Sequence, residues 1–140
     1  MIVRLLYVSR SSGPQTTTVT RSILEQAQTH NAAQGITGVL CQGQGFFLQV
    51  LEGPRSAVNA LYRHIAVDMR HKDVELLMFE DTQERQFSRW SMALIKLSDQ
   101  DPMVKLQHPE FDPYSASGAQ AMQQLLHWLD SSQPIERVLD

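Results

Sequence analysis

The run Phe46-Phe47-Leu48-Gln49-Val50-Leu51-Glu52-Gly53-Pro54 governs how the rest of the chain is read. Side chains alternate across a strand, so Phe47, Gln49 and Leu51 share one face while Phe46, Leu48 and Val50 share the other. Apolar residues on both faces mark a strand covered on both sides, near the middle of a sheet. Gly53-Pro54 then starts a helix, because proline at the first helical position loses no donor that the helix needs. Within that strand Gln49 is the odd member. A buried amide must satisfy an oxygen and two N–H donors, so it calls for polar partners.

Working outward, Ile2 to Ser9 reads as a strand with Val3, Leu5 and Tyr7 on one face. The turn Ser12-Gly13-Pro14 precedes a helix capped by Thr16 or Thr17, with Val19, Ile23 and Ala27 as its apolar face and its end near His30 and Asn31. Residues 35–40 and 45–51 form a hairpin about a turn at Gln42 to Gln44. A helix after Pro54 buries Val58, Leu61 and Ile65, and strands follow at Val74 to Phe79 and Trp90 to Leu97, joined by a polar turn from Glu80 to Gln86. The order β-α-β-β-α-β-β is the ferredoxin-like split arrangement plus one strand, an α+β sandwich on a five-stranded mixed sheet. The first and third strands lie side by side in it, which makes Tyr7 and Gln49 neighbours. Prolines 102, 109 and 113 break the chain after Leu97, and Ser115 to Leu129 then has helical spacing at Ala119, Met122, Leu126 and Leu129. Residues 1–97 are expected to be one domain, and 98–140 a linker and a helix docked on the opposite sheet face.

With 140 residues the chain is long enough to bury one core without disulfides or metal. The net charge of -3, with basic residues scattered, leaves no footprint for a phosphate backbone, so nucleic acid is not an expected partner. No apolar run is long enough for a bilayer, so no membrane insertion is expected. Cys41 is the lone cysteine, and Arg4 interrupts a short apolar start without a cleavage site, which favours a cytoplasmic protein without a leader. Five histidines show no metal-ligand spacing, so no metal is expected.

Each candidate residue has a plain reading beside a functional one. Gln49 is either a core amide bonded to backbone or a contact for a polar ligand. Tyr7 either packs or offers its phenol. Asn31 either caps its helix or presents an amide to a heterocycle edge where an acceptor sits beside a donor. His64 lies beside the apolar face of the second helix, and His30, Arg70 and His71 are further candidates.

The chain resembles the BLUF family, sensors of blue light using flavin, over about Ile2 to Leu97. The likeness rests on Leu5-Leu6-Tyr7-Val8-Ser9-Arg10, on Asn31 with Gly35-Ile36-Thr37-Gly38-Val39-Leu40, on residues 46–54, and on Trp90-Ser91-Met92, in family order and spacing. It implies FAD as cofactor, held between two helices by Tyr7, Asn31 and Gln49, with His64 on a ring carbonyl and Ile23 and Ile65 on the ring faces. Arg70 and His71 complete the expected cofactor set. Trp90 and Met92 would lie on the last strand beside Gln49 and complete a photoswitch with Tyr7. The implied event is loss of an electron and proton from Tyr7 in blue light, then a rearranged Gln49 amide and a red-shifted absorption. No substrate is turned over, so the chain is not expected to be an enzyme. The signal would leave through Trp90, Met92 and the C-terminal helix to a separate signalling partner, from a homodimer. No Gly-x-Gly-x-x-Gly follows the first strand, so a Rossmann-type pyrophosphate site is not expected. Two rivals on this fold are a flavin-free regulatory domain and an acylphosphatase-like or oxygenase-like enzyme, but Ser9, Ser91 and Cys41 show no nucleophile partner in the sequence.

Overall fold

A computed structural model describes residues 1–13, 17–43, 45–88, 91–97, 111–130 and 135–138. The elements run β1 (Ile2–Ser11), α1 (Thr17–Gln34), β2 (Thr37–Gly43), β3 (Phe46–Pro54), α2 (Arg55–Ala66), β4 (His71–Thr82), β5 (Met92–Lys96), α3 (Gly118–Asp130) and β6 (Ile135–Val138). The strands form one mixed sheet in the order β4-β1-β3-β2-β5-β6, with β2 and β5 parallel and the other pairs antiparallel. The expected α+β ferredoxin-like sandwich is therefore present, with β1 beside β3. A sixth strand, β6, was not foreseen. Its four residues carry no periodic signal, and it pairs with the otherwise open edge of β5.

Alternation along the central strands divides the core in two. On one face Val3, Leu5, Tyr7, Leu40, Phe47, Leu51, Met92 and Leu94 pack with Ile23 and Leu24 of α1 and Val58 of α2. On the other, Leu6, Val8, Val39, Cys41, Leu48, Val50, Ala93 and Ile95 pack with Ala121, Met122, Leu125 and Trp128 of α3. The C-terminal helix thus covers the face away from α1 and α2, as expected. Of the expected stripe, Met122 is buried and Leu126 and Leu129 are half-buried against the core, while Ala119 is exposed; Ala121, Leu125 and Trp128 are buried beside them. Trp128 is the largest of these, and its ring sits edge-on to Phe111 with centroids 5.5 Å apart. The helix itself begins at Gly118, three residues later than Ser115.

Other boundaries moved for local reasons. Helix α1 continues past Asn31 to Gln34, where Gly35 adopts φ 70° and the Ile36 N–H donates to the Asn31 carbonyl at 2.9 Å. That is a glycine-terminated helix end, so Asn31 lies inside the last turn and is not its cap. Pro54 is the N-cap of α2, so the helix starts one residue later than expected. Strand β2 runs on to Gly43, which pairs with Phe46, so Gln42 and Gly43 lie in the strand and not in the turn, and Gln44 lies outside the described residues. Strand β4 extends from His71 to Thr82 because it pairs with β1 from Ser11 to Ile2, with two shifts of register, and an edge strand tolerates the charged residues beyond Phe79. Thr16, Trp90 and most of the expected linker, 98–110, lie outside the described residues.

Candidate functional site

A cavity of about 490 Å³ opens between α1 and α2 over the sheet. Ile23 and Ala27 line it from α1, and Leu61 and Ile65 line it from α2. Its floor is Tyr7 and Gln49, and its rim includes Gln26, His30, His64, Asp68, Arg70 and His71. Apolar walls with a few convergent polar groups are what a small-molecule site requires.

The floor follows from strand register. Tyr7 of β1 stands directly opposite Gln49 of β3, so both side chains leave the same face. The Tyr7 hydroxyl donates to Gln49 Oε1, and Gln49 Nε2 donates to Met92 Sδ at 3.3 Å. All three residues are buried. Burial, reinforced by nearby Tyr62 and Asp68, pushes the Tyr7 phenol far above its ordinary range, so it stays protonated as a donor. Its ring is tilted against Tyr62 of α2 at 5.8 Å.

Asn31 approaches from α1. Its Nδ2 donates to the Ser91 carbonyl at 3.1 Å, while its buried Oδ1 has no hydrogen-bond partner among the described residues. A buried acceptor left in this state invites a donor from a bound molecule. Asn31 and Met92 do not line the cavity themselves; Met92 meets the lining residue Gln49, and Asn31 follows the lining residue His30.

The rim is tied together by Arg70. Its Nη2 reaches Asp68 Oδ2 at 2.5 Å and Gln26 Oε1 at 2.7 Å, so the turn after α2 is bound to α1. Hydrogen bonds from Arg70 hold the Asp68 carboxyl down at about 2. Burial lowers His71 below the usual imidazole value. Of the expected residues, Tyr7, Ile23, His30, Gln49, His64, Ile65, Arg70 and His71 line the cavity, while Asn31 and Met92 do not, Met92 meeting it through Gln49. Trp90 lies outside the described residues. Gln26, Asp68 and Tyr62 were not foreseen. Gln26 stands three residues after Ile23 and shares its helix face, a signal available in the sequence. The Asp68–Arg70 pair joins residues two apart in the turn after α2, whereas the Tyr62 contact with Tyr7 is fixed by tertiary placement, which periodicity does not carry.

A second buried carboxylate stands beside the site. Glu52 accepts from Arg4 Nη2 at 2.7 Å, from the Gln86 N–H at 2.9 Å and from the Phe87 N–H at 2.6 Å. It ties the backbone of Gln86 and Phe87 to β3.

A split β-α-β sheet thus carries a tyrosine–glutamine floor beneath two apolar helix faces, with polar groups at the rim. Residues 2–93 match the family model for sensors of blue-light using FAD. The chain belongs to that family, whose cofactor is FAD and whose domains are sensory modules. It is 38% identical over 93 residues to a photoactivated adenylate cyclase subunit beta of Euglena gracilis, a match covering 66% of this chain and 11% of that protein. Among solved structures, BlsA in its ground state superposes with a TM-score of 0.82 at 30% identity, covering 96% of this chain and 91% of that one. The dark state of BlrB, a BLUF protein, gives 0.76 at 28% identity over 91% and 94% of the two chains. A bacterial light-regulated adenylyl cyclase gives 0.72 at 32% identity, covering 93% of this chain and 36% of that one. No helix among the described residues is long and apolar enough to cross a membrane.

Proposed function

We propose that this chain is a blue-light photoreceptor in which transient loss of an electron and a proton from Tyr7 leaves the Gln49 amide rearranged. The observation that carries this reading is the buried chain of donors from Tyr7 Oη to Gln49 Oε1 and from Gln49 Nε2 to Met92 Sδ. The bound flavin supplies the absorption of blue light and the electron-accepting ring. Ile23 and Ile65 would hold its two faces, Asn31 Oδ1 would accept from its edge, and His64, Arg70 and His71 would complete the contacts. These fit what is present: an apolar slot, an orphaned buried acceptor and a polar rim.

Burial disfavours ionisation of Tyr7 in the ground state, so its proton would leave with oxidation of the phenol. Gln49 Oε1 is placed to take that proton. Thioether sulfur is a weak acceptor, so the Met92 end restrains the amide little. Turning or tautomerising the amide exchanges a donor and an acceptor in one move, which reverses what Tyr7 and the ring edge each receive. A stronger donor from Gln49 to the ring edge would shift the flavin's absorption to the red.

Trp90 and Met92 would pass the change along β5, from a cytoplasmic homodimer to a signalling protein in trans. Relatives that join this domain to an adenylyl cyclase support a division between sensing here and output elsewhere. Residues 1–97 would be the sensor and 98–140 its docked extension. The test is spectral. Tyr7→Phe and Gln49→Leu are expected to retain FAD and lose the reversible red shift, and a normal shift in either variant removes that residue from the mechanism.

A further inference from the structure

At the end of β1, away from the Tyr7–Gln49 pair, a set of contacts remains that the switch does not use. Ser9 is fully buried on β1, and its hydroxyl lies 2.8 Å from Nδ1 of His71, the first residue of β4. His71 lines the cavity, with its ring against Phe47 at 4.9 Å and edge-on to Tyr7 at 6.3 Å. Ser9 therefore reports the position of a cavity residue. Its neighbour Arg10 leaves the opposite face of the sheet, because successive side chains alternate. There the Arg10 guanidinium lies 4.4 Å from the ring centre of Tyr114. Arg10 also pairs with Asp73 at 3.5 Å, and the Tyr114 hydroxyl donates to the Asp73 carbonyl at 2.8 Å.

The backbone at this point is irregular. Val8 pairs with Glu75 and Arg10 with Lys72, so Ser9 alone stands against two β4 residues, Asp73 and Val74. Asp73 has φ 52°, a left-handed conformation uncommon for a residue other than glycine. Such a bulge is held by its surroundings, and packed elements shift between discrete arrangements and do not deform smoothly. Tyr114 in turn is fastened to α3. Asp112 accepts from the Tyr114 N–H at 3.0 Å and from Ser115 Oγ at 2.7 Å, and Ser117 and Gln120 bond reciprocally as a capping box. A Cβ on Gly118 would come within 2.5 Å of the Leu77 carbonyl, so the start of α3 lies directly on β4.

We infer that Ser9 is a positioning residue that couples the chromophore cavity to the C-terminal helix through the Asp73 bulge and Tyr114. A shift of His71 changes its bond to Ser9, the bulge resettles, and the Asp73 carbonyl moves relative to the Tyr114 hydroxyl. The Arg10–Asp73 ion pair is exposed and contributes little, so the hydroxyl-to-carbonyl bond and the stacked guanidinium are the firmer ties. This route reaches α3 at its N-terminus through β1 and β4, whereas Met92 reaches it through β5. It rests on the photoswitch reading above.

The test is amide hydrogen exchange on the full FAD-loaded chain, dark and illuminated, for wild type, Ser9→Ala and Tyr114→Phe, with absorption recorded on the same samples. All three are expected to show the red shift. In wild type, exchange across 115–128 should rise several-fold in light. Ser9→Ala should lose most of that difference, and Tyr114→Phe should exchange in the dark at the illuminated wild-type rate. A wild type without a red shift overturns the photoswitch reading and this inference with it. A wild type that shifts its spectrum without a change at 115–128, or a Ser9→Ala protein with the full light-dark difference, overturns the coupling alone. If Ser9→Ala does not fold, dark exchange in Tyr114→Phe equal to dark wild type overturns it as well.

Discussion

Replacing both ends of the Tyr7–Gln49 bond gives a prediction whose size follows from the structure. The two side chains stand opposite each other in register on β1 and β3 and are buried. Tyr7→Phe keeps the ring and its contact with Tyr62 but leaves Gln49 Oε1 without its phenol donor. An unsatisfied buried polar group costs about 1–3 kcal/mol. Gln49→Leu leaves the Tyr7 hydroxyl without an acceptor and should cost about the same. Either change lowers Tm by roughly 3–10 °C for a chain of this size. The double variant has neither orphan, so its cost should fall short of the sum of the singles by about 1–2 kcal/mol. Urea unfolding of the dark, FAD-loaded proteins, followed by far-ultraviolet circular dichroism, measures all four corners of the cycle. Costs that add to within about 0.5 kcal/mol would refute the idea that these groups satisfy each other.

Asn31→Ala should bind FAD more weakly, because the orphaned Oδ1 that awaits a donor is removed; the flavin-to-protein absorbance ratio after dialysis measures it, and an unchanged ratio contradicts that role. Glu52→Gln should destabilise the fold by about 2–3 kcal/mol, since a buried carboxylate holding Arg4 and two backbone N–H groups becomes a neutral amide. Denaturation in urea reads that loss, and a change under about 0.5 kcal/mol would remove Glu52 as an anchor. Burial lowers the pKa of His71, so as pH falls the unfolded chain takes up this proton before the folded one. His71 therefore makes stability decline as pH drops below about 6.5, the ordinary imidazole value. Melting temperatures should fall more between about pH 7.5 and about pH 5.5 in wild type than in His71→Gln, and equal falls would contradict the assignment.

The parts of the fold that period-two patterning controls were legible in the sequence. Val3, Leu5 and Tyr7 do share a face, Gln49 does sit between Phe47 and Leu51, and the split topology brings Tyr7 and Gln49 opposite each other. What was missed has another physical origin. Trp128 of α3 meets Phe111 edge-on, a contact across 17 positions that helical spacing alone does not specify. Asn31 looked like a helix end until Gly35 was seen to supply the left-handed residue four positions later. The Arg70 bridge to Gln26 joins residues 44 positions apart, and Ser9 meets His71 across 62, so neither leaves a local trace in the sequence. Strand β6 has too few residues for any period to show.

The central claim is that the hydrogen-bond chain Tyr7–Gln49–Met92 is a light-operated switch on bound flavin. The most direct measurement is the absorption spectrum of the purified, FAD-loaded protein in the dark, under blue light and again after dark recovery. The predicted result is a yellow protein whose flavin band moves to the red on illumination and returns in the dark. A protein that cannot be loaded with FAD, or one whose flavin band keeps its position in blue light, would contradict it.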